Sequence, residues 1–224
     1  ILSGDAVMII AYKFFEESGK YVPQLFRLLN KTALEVCEGQ QYDVDLEVAN
    51  LQDPIVSEET YLRMIELKTS VLIAACLKAG AIVGGASDND ADKLYEIGKM
   101  IGIAFQLHDD VLDTCGNGAT FGKKIGGDIR VNKKTYLLIK ALQTLQATDK
   151  EQLIRLMSST EFDEKTKYDH VVALYNKAHV KEQSIEKIEE YFQQAMRLVD
   201  EIQLPDERKG ELIAFMNELV NRNY

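Results

Sequence analysis

Proline is scarce in this chain, and its three prolines (Pro23, Pro54, Pro205) all fall between segments with helical apolar spacing. The long stretches between them contain nothing that must break a helix. No alternating apolar–polar pattern of strand type occurs, and no sequence repeat, which leaves an all-α chain. Nowhere do apolar residues approach the roughly 18 in succession that a membrane span requires. Basic charge is also short: 26 Lys and Arg stand against 36 Asp and Glu, a formal charge of -10. That balance argues against a general nucleic-acid-binding role, which needs a dominant basic surface. Cys37, Cys76 and Cys115 are widely spaced and odd in number. They show neither metal-ligand spacing nor a disulfide framework, and this fits a reducing cytoplasm. A signal-peptide pattern is missing too. The chain opens on Ile1-Leu2-Ser3-Gly4-Asp5 and runs straight into a helical pattern, which reads as a truncated start.

At 224 residues the chain suits one domain, 1–224, with a substantial core. The spacing predicts a first helix over Ala6–Glu17 and a second after Pro23, with Leu25, Leu28, Leu29 and Ala33 on one side. A third begins after Ser57, an N-cap followed by Glu58 and Glu59, and carries Met64, Ile65, Leu67, Leu72 and Ile73. The fourth runs from about Asp88 to Asp113. Five glycines in Cys115–Gly127 predict a loop, and helices resume at Lys133–Gln146, Lys150–Met157, Lys165–Ile202 (broken once) and Asp206–Asn221.

Chemistry concentrates in Phe105-Gln106-Leu107-His108-Asp109-Asp110-Val111-Leu112-Asp113. Asp109 and Asp113 are i, i+4 neighbours, with Gln106 one turn earlier on the same side. Like charges at that spacing weaken a helix by roughly 0.2–0.5 kcal/mol, and the helix dipole disfavours carboxylates near a C-terminus. A cation relieves both penalties, and all-oxygen ligands point to a hard ion such as Mg²⁺, which takes one or two carboxylates plus phosphate and water oxygens. Lys123, Lys124, Arg130, Lys133 and Lys134 follow, interleaved with Gly122, Gly126 and Gly127 that let backbone approach an anion. Carboxylates for Mg²⁺ followed by lysines on a glycine-rich loop describe a diphosphate site. It is neither a P-loop, lacking GxxxxGK[ST], nor an EF-hand, lacking the D-x-D-x-D-G register.

At these residues the sequence resembles the trans-isoprenyl diphosphate synthase (polyprenyl synthetase) family. The family's second aspartate-rich motif, F-Q-x-x-D-D-x-x-D, is matched by Phe105, Gln106, Asp109, Asp110 and Asp113. Its G-K-x-x-G-x-D is matched by Gly122, Lys123, Gly126 and Asp128, and its (G/N)-K-x-T by Asn132, Lys133 and Thr135. Upstream, Gly4-Asp5 resembles A-G-D, Gly39-Gln40 with Asp43 resembles G-Q-x-x-D, and Lys68-Thr69 resembles a K-T element. Near the end, Val220-Asn221-Arg222 resembles a C-terminal arginine segment.

The resemblance implies an all-α helical bundle around a central cavity, and a Mg²⁺-dependent transfer of an allylic prenyl diphosphate to isopentenyl diphosphate. It implies that Asp109, Asp110 and Asp113 serve the metal, and that Lys68, Lys123 and Lys133 hold diphosphate. Thr69 and Gln106 would face the carbocation, and Lys68, Thr69, Gln106 and Asp109 form the catalytic set. Farnesyl or geranylgeranyl diphosphate is the expected product and a homodimer the expected assembly. The family's first aspartate-rich motif belongs upstream of Gly4-Asp5, so these 224 residues by themselves are expected to be nearly inactive. Two alternatives are a non-catalytic regulatory subunit, which would be expected to lose motif Asp or Lys residues, and a class I terpene cyclase, whose N/D-D-x-x-S-x-x-x-E motif is not seen.

Overall fold

The computed structural model describes residues 2–116, 125–159 and 163–220. Eleven α-helices account for most of them: α1 (Leu2–Glu16), α2 (Val22–Val48), α3 (Glu58–Ile65), α4 (Val71–Val83), α5 (Asp88–Cys115), α6 (Gly127–Arg130), α7 (Tyr136–Thr144), α8 (Ala147–Ser158), α9 (Glu164–Lys177), α10 (Val180–Glu201) and α11 (Asp206–Val220). No strand occurs among the described residues.

The expected cap at Ser57 is in place, and Ser87 caps α5 in the same way. Ser57 Oγ accepts from the Thr60 amide at 3.1 Å, and Ser87 Oγ accepts from the Asp90 amide at 3.1 Å, so α3 and α5 start where their first-turn acids suit the dipole. The single break expected between residues 165 and 202 falls at Ala178–His179, where His179 turns the chain at φ 53°.

Two expectations are corrected. The helix after Ser57 is not one regular α-helix, because Glu66–Ser70 forms a π-helical turn between α3 and α4, with the Val71 amide donating to the Glu66 carbonyl. Nor does the segment from Lys133 begin a helix. A short α6 ends at Arg130, the chain turns through Asn132 at φ 57°, and α7 starts only at Tyr136, capped by Thr135.

The long α5, about 42 Å at 1.5 Å per residue, is the axis of the fold. It packs against α4 and α10, with α11 alongside, and buries Ile97, Ile101, Ala104, Leu107 and Val111. One core cluster runs from Leu46 to Val220, and a smaller one (Leu28, Ala74, Ala75, Tyr95) lies between α2, α4 and the start of α5.

Gly39 brings α2 against the π-helical turn. A Cβ there would sit 2.3 Å from the Lys68 nitrogen and 2.7 Å from the Leu67 carbonyl carbon, so only glycine allows this approach. At the other edge α1 buries nothing: Val7, Ile9 and Phe14 are all exposed, and its ties are to α2, where Tyr12 donates to Asn30 at 2.6 Å.

Candidate active site

Three elements bring the sequence-marked residues together: the C-terminal half of α2, the π-helical turn, and the last turns of α5. Lys68 lies on the π-helical turn and its ammonium donates to Asp43 Oδ2 at 2.6 Å, while Gln40 Nε2 donates to the same oxygen at 3.3 Å. The G-Q-x-x-D and K-T residues, far apart in sequence, thus form one polar chain. One residue further, the Thr69 hydroxyl donates to Gln106 Oε1 at 3.4 Å, tying the turn to α5. π-helical turns are rare and concentrate at functional sites, because the extra residue re-aims side chains that a regular helix would send elsewhere.

On α5 the three aspartates have separate fates. Asp109 is exposed. Asp110 is 1% exposed, and its Oδ2 accepts from the equally buried Tyr61 hydroxyl in a short hydrogen bond. Its Oδ1 has no hydrogen-bond partner but lies 3.8 Å from the Lys133 ammonium. Burial pushes the Asp110 carboxyl up to about 7, against the opposing pull of Lys133 and of the Tyr61 hydrogen bond. Burial and the neighbouring Asp110 likewise hold the Tyr61 phenol well above its ordinary value.

Asp113 ties the end of α5 to the start of α6. Its Oδ2 accepts from the Asp128 amide at 2.9 Å, and its own carbonyl accepts from the Gly126 amide at 2.7 Å. Gly126 sits at φ 79° with its Cα against the Tyr168 ring, a position that a Cβ would fill. The two ends of the glycine-rich segment are therefore pinned beside the acidic cluster. Lys123, Gly122 and Lys124 within it, and Asn221 and Arg222 at the end of the chain, lie outside the described residues.

Lys133 completes the constellation. Its ammonium is 3.4 Å from Asp128 Oδ2, and although burial works to lower it, Asp110 and Asp128 hold it above the usual lysine range. Asp128 is raised by burial, and then by the negative charges of Asp113 and Asp109. A cavity of about 330 Å³ opens here, bordered by Asp43, Met64 and Lys133.

Lys68, Thr69, Gln106 and Lys133 thus converge with Asp109 and Asp113. Asp110 departs from its expected place among the metal carboxylates: it faces the core, about 100° around the helix from the exposed Asp109. Two buried polar residues, one in the site and one behind it, had no signal in sequence. Tyr61 reads as an ordinary apolar position of α3, and Lys167, 4% exposed, reads as one more charge on an amphipathic helix.

Known proteins resemble this chain in sequence and in fold. The polyprenyl synthetase family model matches residues 1–175. A short chain isoprenyl diphosphate synthase of Methanothermobacter thermautotrophicus is 36% identical over 206 residues, 85% of this chain and 61% of that protein. A solved geranylgeranyl pyrophosphate synthase superposes with a TM-score of 0.91 at 39% identity, over 100% of this chain and 68% of that one. The geranylgeranyl pyrophosphate synthase of Corynebacterium glutamicum, solved with isoprenyl diphosphate and magnesium, superposes at 0.87 with 27% identity, over 100% of this chain and 63% of that one. The chain belongs to the polyprenyl synthetase family. It spans about 61% of the length of the curated relative it matches over most of its own length.

Proposed function

We propose that the protein is a trans-prenyltransferase that condenses isopentenyl diphosphate with an allylic prenyl diphosphate, Mg²⁺-dependent and cytoplasmic. The observation that carries this reading is that Lys133, beside Asp110 and Asp128 at the acidic end of α5, borders the same cavity as Asp43, the ion-pair partner of Lys68. The relatives named above favour geranylgeranyl over farnesyl diphosphate as the product.

Mg²⁺ fits part of the acidic cluster. Among the described residues no three His, Cys, Asp or Glu side chains form a complete ligand group. Mg²⁺ asks for less: one or two carboxylates suffice when phosphate and water oxygens fill the remaining positions. Asp109 is exposed, Asp113 lies one turn on, and the negative charge gathered there already opposes ionisation of Asp128. Asp109 and Asp113 would hold the ion, and Asp110, turned inward against Tyr61, would not. When bound, Mg²⁺ neutralises charge on the departing diphosphate.

The chain's own residues supply the rest. Lys68 and Lys133 present ammonium groups to the diphosphate as its bond to the allylic carbon breaks, stabilising the charge that develops there. Thr69 and Gln106 set their oxygens toward the carbocation. The isopentenyl double bond attacks that cation, and a proton is then lost, with the released diphosphate as its acceptor. A regulatory subunit is the weaker reading, because Lys68, Asp109, Asp113 and Lys133 are all present and brought together. The exposed apolar residues of α1, continued by Leu34, Val44 and Val48 on α2, support a homodimer in which a second copy covers them.

The test is product identity. The full-length gene product, given isopentenyl diphosphate, Mg²⁺ and dimethylallyl, geranyl or farnesyl diphosphate, is expected to yield a geranylgeranyl-length diphosphate by mass spectrometry, abolished by EDTA. Folded protein that elongates none of the primers would overturn the reading, and cyclised hydrocarbon would replace it with a cyclase.

A further inference from the structure

Lys133 owes its place to the turn that precedes it. That turn has the two crossed hydrogen bonds of a Schellman motif closing α6. The Lys133 amide donates to the Asp128 carbonyl at 2.9 Å and the Asn132 amide donates to the Ile129 carbonyl at 3.3 Å. Asn132 is the left-handed residue of the motif, at φ 57°. Glycine takes that conformation freely, and asparagine takes it at a smaller cost than other side chains because its short amide can hydrogen-bond to offset it.

What holds Asn132 comes from α9. The Lys167 ammonium donates to Asn132 Oδ1 at 2.5 Å, across thirty-five positions of sequence. Lys167 is one of the few buried charged residues in the fold, 4% exposed, and burial lowers its amine from the ordinary lysine value. A cation buried with an amide oxygen as its partner is costly to keep unless the contact does something. Neither the diphosphate site as described above nor the core needs an amine there.

We infer that Lys167 is a positioning residue: by fixing the Asn132 side chain it locks the left-handed turn, and the turn sets the Lys133 ammonium against Asp110, Asp128 and the diphosphate. The inference rests on the proposed prenyl-transfer reading only for the identity of the ligand. It is distinct from a direct electrostatic role, because Lys167 acts through the backbone of its neighbour. Glycine at position 132 therefore makes Lys167 dispensable.

The experiment is a double-variant comparison in the full-length protein. Lys167→Met keeps the buried apolar stem and removes the amine. Dissociation of Mg²⁺–pyrophosphate by calorimetry and kcat/KM for the allylic substrate are read in the wild type, Lys167→Met, Asn132→Gly, and the pair together. Lys167→Met is expected to weaken pyrophosphate binding and lower kcat/KM by about tenfold, the loss expected when the left-handed turn of a non-glycine residue is no longer held. The double variant is expected to return to within about threefold of Asn132→Gly alone, because glycine holds the turn without help. Two results would overturn the inference: a Lys167→Met protein as active as the wild type, or a loss that persists undiminished in the double variant, which would assign Lys167 to charge or packing. Failure of the prenyl-transfer reading looks different: the wild type itself then elongates no primer, while the pyrophosphate measurements still decide the role of Lys167.

Discussion

Asp109 and Asp110 are adjacent in sequence and point about 100° apart around α5, which gives the two carboxylates different work. Asp109 faces out, where the proposed metal and diphosphate would sit. Asp110 faces in, where it keeps Lys133 charged and is itself held by Tyr61. Tyr61→Phe removes the hydroxyl that donates to Asp110 Oδ2 and leaves a buried carboxylate with one hydrogen-bond donor fewer. The expected loss is about 1–3 kcal/mol of stability, read as a lower urea midpoint at unchanged slope. An unchanged midpoint would show that the phenol is not what satisfies Asp110. The Asp-rich motif and Lys133 were legible in the sequence because their charges are unusual for their setting, and Lys68 through the resemblance of Lys68-Thr69 to the K-T element. Tyr61 was not, because a tyrosine among apolar neighbours carries no mark of the carboxylate it reaches forty-nine residues away.

At the scale of elements, the caps and most helix extents follow from local rules: Ser57 and Ser87 start helices because their hydroxyls satisfy free amides. The π-helical turn at Glu66–Ser70 obeys no such rule. Nothing in Glu66-Leu67-Lys68-Thr69-Ser70 marks a π-helical turn locally, and α2 approaches it closely at Gly39. The turn at Asn132 was hidden for a similar reason, since its left-handed residue is an asparagine and its partner Lys167 arrives from α9. Gly39→Ala tests the first of these directly. Its methyl group has to displace the Lys68 backbone, so the variant is expected to lose stability by about 1–3 kcal/mol, as overpacked cores do. It is also expected to raise KM for the allylic substrate in step with the displaced ammonium. A variant that is destabilised yet keeps the wild-type KM would separate the close approach from the placement of Lys68.

The described residues form a helical assembly hung on α5, with the proposed site at one end of that helix. The class of fold was legible from the scarcity of proline, the lack of strand patterning and the long helical periodicities. What those signals do not contain is which helices touch, because that depends on contacts such as Gly39 against Lys68 that no local window records. The central claim is that Lys68 and Asp109, forty-one residues apart, serve one diphosphate and its metal. The measurement that tests it most directly is steady-state elongation by the full-length protein carrying Asp109→Ala or Lys68→Ala, with circular dichroism and melting temperature followed alongside. Both variants are expected to fold as the wild type does and to lose kcat/KM by two or more orders of magnitude, the scale on which removal of a preorganised charge at a reacting centre is felt. Near-normal turnover in either folded variant would contradict the account.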